Sequence, residues 1–136
     1  MTHYLLDTSA LLTLRDDEPG ADIVADLLYL AQRGDAICLA SFMTQMELLY
    51  RIWRDEGEAT GRLALEQCLA MPIVWVQAEQ PLLEKAAEIK ATHRVSVIDA
   101  WIAATAILRG ATLVHKDPEI EPIPCAQLLL PYKQGG

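Results

Sequence analysis

Positive charge is scarce in this sequence: eleven Lys and Arg stand against nineteen Asp and Glu, a formal net charge of −8 over 136 residues. A protein that coats nucleic acid by neutralising phosphates displays a basic field, so generic binding of that kind is excluded. A nucleic-acid substrate met at one site, where bound divalent cations reverse the local sign, is not. Cysteine is also rare. Cys38, Cys68 and Cys125 are odd in number, far apart and without Cys-x-x-Cys spacing. This pattern excludes a disulfide framework and a zinc site, and reads as three small apolar residues of a reducing compartment. No apolar run reaches the ~20 residues of a membrane span, and Leu5-Leu6 is interrupted at once by Asp7, so no leader of the secretory type is seen. A cytoplasmic protein with no membrane segment is expected. Internal repeats and low-complexity segments are absent as well.

Apolar residues are plentiful, at 52%. Much of the surplus is Ala and Leu, which favour helices, and part of it suits a surface reserved for a partner chain. The length fits one domain, placed at residues 1–131, with a flexible end at 132–136.

The stretch at residues 95–108 organises the rest, because it is helix-length and its only charge is Asp99. A helix apolar on nearly every face is a buried one. Asp99 then needs a hydrogen bond, a cation or a proton, since burying an isolated charge is costly. One reading is local: Ser96 three residues before Asp99 matches a capping box, and the positive end of the helix dipole favours an acid there. The other is chemical, and it gains weight from where the remaining isolated acids fall.

His3-Tyr4-Leu5-Leu6 reads as a strand that stops at Asp7 and turns directly into a short helix. A helix follows at 21–33, with Ile23, Leu27, Leu28, Leu30 and Ala31 inward and Gly34 ending it. Residues 36–40 form a buried strand, and Ser41 caps a third helix to about residue 56, with Phe42, Met46, Leu49 and Trp53 as its inward stripe. Glu47 lies beside that stripe, where an ordinary ion pair with Arg51 at i+4 would also account for it. A helix at 60–70 with Leu63, Leu65 and Leu69 inward, a strand at 73–76, and a helix at 79–91 with Leu82, Leu83, Ala86 and Ala87 on one side come next. After the buried helix, closed by Gly110, a strand at 111–114 leads to Asp117, which Pro118 biases away from the helical region. The proline-bearing tail adds an edge strand near 128–130. This alternation describes an α/β domain with a mostly parallel sheet.

Asp7, Glu47, Asp99 and Asp117 thus occupy junctions that a parallel sheet brings to its C-terminal edge, where ligands of open α/β folds bind. Carboxylates ~4–6 Å apart raise one another's proton affinity, so such a cluster makes sense chiefly around a divalent cation. Oxygen-only ligands favour Mg²⁺ or Mn²⁺ over zinc. His93 and His115 read as a loop residue and a surface residue rather than ligands.

The motif Leu5-Leu6-Asp7-Thr8-Ser9-Ala10-Leu11-Leu12, with Glu47 in a helix, Asp99-Ala100-Trp101-Ile102-Ala103-Ala104 and Leu113-Val114-His115-Lys116-Asp117, resembles the PIN domain over nearly the whole chain. The resemblance implies a three-layer α/β/α fold in which Asp7, Glu47, Asp99 and Asp117 bind Mg²⁺ or Mn²⁺ for hydrolysis of RNA phosphodiesters, with 5′-phosphate and 3′-hydroxyl products. It implies Ser9 as a supporting polar group, and often a homodimeric toxin held in check by a small antitoxin protein. Two departures stand out. His115 occupies a position usually held by Thr or Ser, and Pro118-Glu119-Ile120-Glu121 replaces the usual Asp-Phe ending, so a further acid would have to be Glu119 or Glu121. Arg15, Arg51, Arg54, Arg94 and Lys116 are the candidate phosphate contacts.

The leading expectation is a Mg²⁺/Mn²⁺-dependent endoribonuclease. A catalytically weak PIN-like binding or assembly module is the alternative from another class. A metal-dependent phosphatase on a different α/β fold is a third, but it lacks the Asp-x-Asp pair after the first strand, where Ser9 holds the second place.

Overall fold

Five short strands carry the apolar runs: β1 (His3–Leu6), β2 (Ile37–Ser41), β3 (Ile73–Val76), β4 (Thr112–His115) and β5 (Gln127–Leu129). In the computed structural model, which describes residues 1–132, they form one sheet in the order β3-β2-β1-β4-β5. Most of the expected flexible end lies outside the described residues. Every pairing is parallel, including that of β5 with β4, so the sheet is more uniform than the mostly parallel one expected. A parallel sheet is covered on both faces, which is why its strands are apolar at successive positions. Leu5, Leu39 and Leu113 point into one layer, and Leu6, Cys38 and Val114 into the other.

Six helices supply those layers: α1 (Thr8–Arg15), α2 (Ala21–Arg33), α3 (Phe42–Glu56), α4 (Glu58–Leu69), α5 (Gln80–Thr92) and α6 (Val97–Leu108). α5 and α6 cover the Leu5 face, and α1 to α4 cover the Leu6 face, which gives the expected three-layer α/β/α arrangement. Among the described residues no helix is long and apolar enough to cross a membrane.

The caps fall where the sequence puts them. Ser41 Oγ accepts from Met43 N at 3.2 Å, Ser96 Oγ accepts from Asp99 N at 3.1 Å, and Gly34 ends α2 at φ 82°. The inward faces of several helices differ from expectation. In α3 the buried residues are Thr44, Leu48 and Ile52, whereas Met46 and Trp53 of the expected stripe are exposed. Apolar residues occur on several sides of this helix, so periodicity alone picked the wrong one. Thr44 can take a core position because its hydroxyl meets Thr8 Oγ1 at 3.3 Å. In α4 the buried residues are Gly61, Ala64 and Cys68, with Leu63 and Leu69 exposed. Close helix approach selects the small side: a Cβ at Gly61 would stand 3.1 Å from Trp53 N and 3.2 Å from Leu49 O. In α5 the inner residues are Leu82, Ala86 and Ile89, and Leu83 and Ala87 point outward. In α2 the core takes Val24 with Leu27 and Leu28.

Candidate functional site

Because all strands run the same way, the residues that follow β1, β2 and β4 emerge at one edge of the sheet. Asp7 follows β1 and caps α1 from a β-region backbone, and its own N–H donates to Val114 O of β4 at 3.1 Å. Ser9 N donates to Asp7 Oδ2 at 3.3 Å, and the Ser9 hydroxyl donates to the same oxygen. Ser9 Oγ in turn accepts from Lys116 N at 3.2 Å, so one hydroxyl links the exits of β1 and β4. The second carboxylate oxygen, Asp7 Oδ1, is buried and has no hydrogen-bond partner, on a residue only 4% exposed. An unpartnered buried oxygen of this kind is costly unless something outside the chain meets it.

Asp99 stands in the first turn of α6 and is 9% exposed. Burial, then the charges of Asp7 and Asp117, push its carboxyl up to about 7, and the Ser96 hydroxyl opposes the shift. Asp7 is raised too, first by burial and then by the charge of Glu47, while Ser9 lowers it. These mutual effects bring the four junction acids into one electrostatic neighbourhood, Asp7 with Glu47 and Asp99, and Asp99 with Asp117. Among the described residues no three of them close into a ready-made cage. Asp99 and Asp117 are close enough to share a hydrogen bond, which requires one of them to hold a proton when no cation is bound. The donor set is all oxygen, and the orphaned Asp7 Oδ1 gives a hard cation a ligand that nothing else satisfies. The residues present therefore fit a hard divalent cation.

Glu47 forms no ion pair with Arg51 among the described contacts, and its charge acts on Asp7 instead. The buried Thr8–Thr44 contact ties α1 to α3 one turn before Glu47 and fixes that helix against the site. Asp117 Oδ1 accepts from Glu119 N at 2.9 Å, while the Glu119 and Glu121 side chains are exposed. Glu119 thus meets the site with its backbone rather than with a further carboxylate.

His115 is a correction. It is not a surface residue but wholly buried, with Nδ1 accepting from Asp117 N at 2.9 Å and Nε2 2.8 Å from Gln127 Oε1. As the last residue of a parallel strand covered on both faces, it has no route to solvent. Gln127 and the Thr8–Thr44 pair had no signal in the sequence, since each acts only through a partner distant in the chain. His93 does lie in the loop after α5, as expected.

Of the five candidate cations, several are engaged. Arg15 makes a two-pronged pair with Glu56 at 2.8 and 3.0 Å, and Arg54 pairs with Asp55. Lys116 Nζ lies 3.2 Å from Glu18 Oε1 and 3.2 Å from Pro19 O, with its side chain 11% exposed. Arg51 lines the same cleft as Ser9, Lys116 and Asp117, a space of about 310 Å³. Arg94 is exposed in the loop before α6.

Residues 4–124 match the PIN domain family. The chain belongs to the PIN domain family. The acid edge thus lies at the C-terminal edge of a PIN-domain sheet. Solved PIN structures align over almost the full length. VapBC2 from Rickettsia felis, bound to a DNA fragment from its promoter, matches with TM-score 0.78 and 18% identity, covering 96% of this chain and 100% of that one. DNA-bound VapBC from Salmonella typhimurium gives TM-score 0.74 and 20% identity over 94% and 98%. VapC20 from Mycobacterium tuberculosis, a toxin described as cleaving the sarcin–ricin loop, gives 0.71 and 15% over 92% and 98%. At these identities the likeness is one of fold. No curated protein matches the sequence significantly.

Proposed function

We propose that this PIN protein is a Mg²⁺- or Mn²⁺-dependent endoribonuclease and the toxin of a toxin–antitoxin pair. The observation that carries the reading is Asp7 Oδ1, a buried, unpartnered carboxylate oxygen amid acids that raise one another's proton affinity. Asp7, Glu47, Asp99 and Asp117 would hold the cation. When bound, it supplies Lewis acidity at the scissile phosphate. The chain's own groups do the rest: Ser9 holds Oδ2 of Asp7 and leaves Oδ1 as its unpartnered oxygen, and Arg51, which lines the neighbouring cleft, would meet a nonbridging phosphate oxygen. The α6 core behind Asp99 keeps water from one side of that carboxylate.

The test is cleavage of an RNA pool by purified protein with Mn²⁺ or EDTA. Metal-dependent cuts with 5′-phosphate ends support the reading, and equal products in both, or none across several RNA classes from folded protein, reject it. The toxin role draws support from the likeness to a toxin–antitoxin complex from Klebsiella pneumoniae and to VapBC-5, a member of the VapBC family of toxin–antitoxin systems from Mycobacterium tuberculosis. Its cheapest check is an adjacent small open reading frame of antitoxin type. A homodimer is the matching expectation, since closed twofold dimers are the commonest homo-oligomers and Tyr50, Trp53 and Val97 are exposed. Light scattering that gives a monomer mass at micromolar concentration rejects it.

A second reading, a PIN-like binding or assembly module, draws support from the engagement of Arg15, Arg54 and Lys116 in ion pairs. Mn²⁺ affinity unchanged by Asp7→Asn would favour it. Membership of the PIN family leaves the phosphatase on another α/β fold without a scaffold.

A further inference from the structure

The residue two positions before Asp117 is not a hydroxyl side chain, and the structure shows what a histidine does there. The backbone N–H of Asp117 can only donate, so His115 Nδ1, 2.9 Å away, carries the lone pair. The proton of the neutral ring is then on Nε2, which donates to Gln127 Oε1 at 2.8 Å. The amide of Gln127 has one consistent orientation. Its Nε2 lies within reach of three carbonyl oxygens, Ile123 O at 2.9 Å and Ile120 O and Glu121 O at 3.3 Å, and of Cys125 Sγ at 3.6 Å, and its two protons are shared among them. One chain of hydrogen bonds therefore runs from the Asp117 amide through a buried ring to β5, and from there back to the turn that follows Asp117. Ile120 and Ile123, 0% and 2% exposed, plug that turn into the α6 layer. Among the described residues no other side chain links the Asp117 backbone to the edge strand.

We propose that His115 and Gln127 form a positioning pair that holds the Asp117 backbone, and with it the Asp117 carboxylate, toward the other three acids. The consequence for metal binding rests on the cation reading above, whereas the hold on the backbone does not. The bond from a side chain to the N–H two residues on is the one that a Ser or Thr hydroxyl makes in an ST-turn. His115 supplies it from a ring nitrogen and uses the opposite nitrogen to anchor β5. β5 therefore takes part in shaping the site even though none of its residues belongs to the acid cluster.

Two readouts on the full chain test this. In ¹⁵N-labelled metal-free protein, the ring of His115 shows a protonated Nε2 and an unprotonated Nδ1, and the Asp117 amide is protected from exchange. His115→Leu, which removes both ring bonds, loses that protection and weakens Mn²⁺ binding in calorimetry by ~10-fold or more, the scale typical of groups that orient a metal ligand. His115→Thr, which can restore the bond to the Asp117 amide but not the one to Gln127, recovers affinity to within roughly 3-fold of wild type. Gln127→Leu, on a half-exposed edge strand, gives an intermediate loss and stands in if His115→Leu does not fold. A wild-type ring protonated on Nδ1 overturns the proposal. So does a folded His115→Leu or Gln127→Leu protein with wild-type Mn²⁺ affinity and Asp117 protection, or a Thr variant no better than Leu. If Mn²⁺ binding proves indifferent to Asp7→Asn, the cation reading fails by itself, and the exchange and tautomer data still decide the hold on Asp117.

Discussion

At the scale of single residues, Asp99 serves two roles through different atoms. Its backbone N–H completes the Ser96 cap, while its carboxylate is buried against Asp7 and Asp117. The capping and ligand readings are therefore compatible, but they forecast different outcomes for Asp99→Asn. The cap depends on the Ser96 hydroxyl and the backbone, which the substitution leaves in place. Removing the charge relieves repulsion in the metal-free protein, whose melting temperature should stay the same or rise. Mn²⁺-induced stabilisation should be lost and RNA cleavage fall by at least ~100-fold. A variant that melts earlier yet still gains the wild-type increment from Mn²⁺ and still cuts RNA would leave Asp99 as a helix-start residue alone. Ser9→Ala is the companion experiment. It removes the hydroxyl that joins Asp7 to Lys116, at a cost of about 1–2 kcal/mol in stability, and releases Asp7 Oδ2 from its side-chain partner. Cleavage should fall by more than that stability loss explains, which thermal melts and single-turnover rates on the same preparation resolve. The convergence of Asp7, Asp99 and Asp117 at one edge was legible in the sequence because each follows a strand or opens an apolar run, whereas Glu47 lies inside α3 and is placed beside Asp7 only by the packing of that helix. The role of His115 was not, since burial and partner are properties of the completed sheet.

Among the elements, helix existence was read far better than helix orientation. α2 runs from residue 21 to 33 and α6 stops before Gly110, as their caps and glycines dictate. The inward faces of α3 and α4 were misread, because both helices carry apolar residues on more than one side and neither period nor propensity says which side meets a neighbour. What decides is close approach. Gly61 lets the backbone of α4 approach α3 at Trp53 and Leu49, and the resulting crossing turns Leu63 and Leu69 outward. Gly61→Ala tests this. On helix propensity alone the change should stabilise by about 1 kcal/mol. The added Cβ would meet backbone atoms at 3.1 and 3.2 Å that no side-chain rotation can clear, so a net loss of ~1–3 kcal/mol is expected instead. Urea denaturation showing equal or greater stability would mean that the two helices do not pack this closely. Since α3 also carries Glu47, the same variant should lower Mn²⁺ affinity slightly even where it folds.

For the whole molecule, the sheet topology gathers negative charge at one edge of a chain already at −8, and the fold carries that cost until something neutralises it. The pH dependence of stability exposes this. Asp7 and Asp99 both hold a proton more tightly in the folded chain than their usual 3.8, Asp99 up to about 7, with burial as the leading cause in each. Between those two values the folded chain binds more protons than the unfolded one, so the stability of metal-free protein falls as pH rises through the window. The favourable contribution is complete below the usual carboxylate value and gone above about 7. In EDTA, the melting temperature should therefore drop between about pH 4 and about pH 7, and Asp99→Asn should flatten that drop. With saturating Mn²⁺ the trend reverses, because the cation binds ionised carboxylates and its contribution grows as they lose their protons. Scanning calorimetry across this range, with and without Mn²⁺, reads both slopes at once. A metal-free melting temperature that climbs with pH would mean that the two acids are held by favourable partners rather than buried against one another. Parallel curves with and without Mn²⁺ would remove the cation from the account of why the fold concentrates acids at this edge.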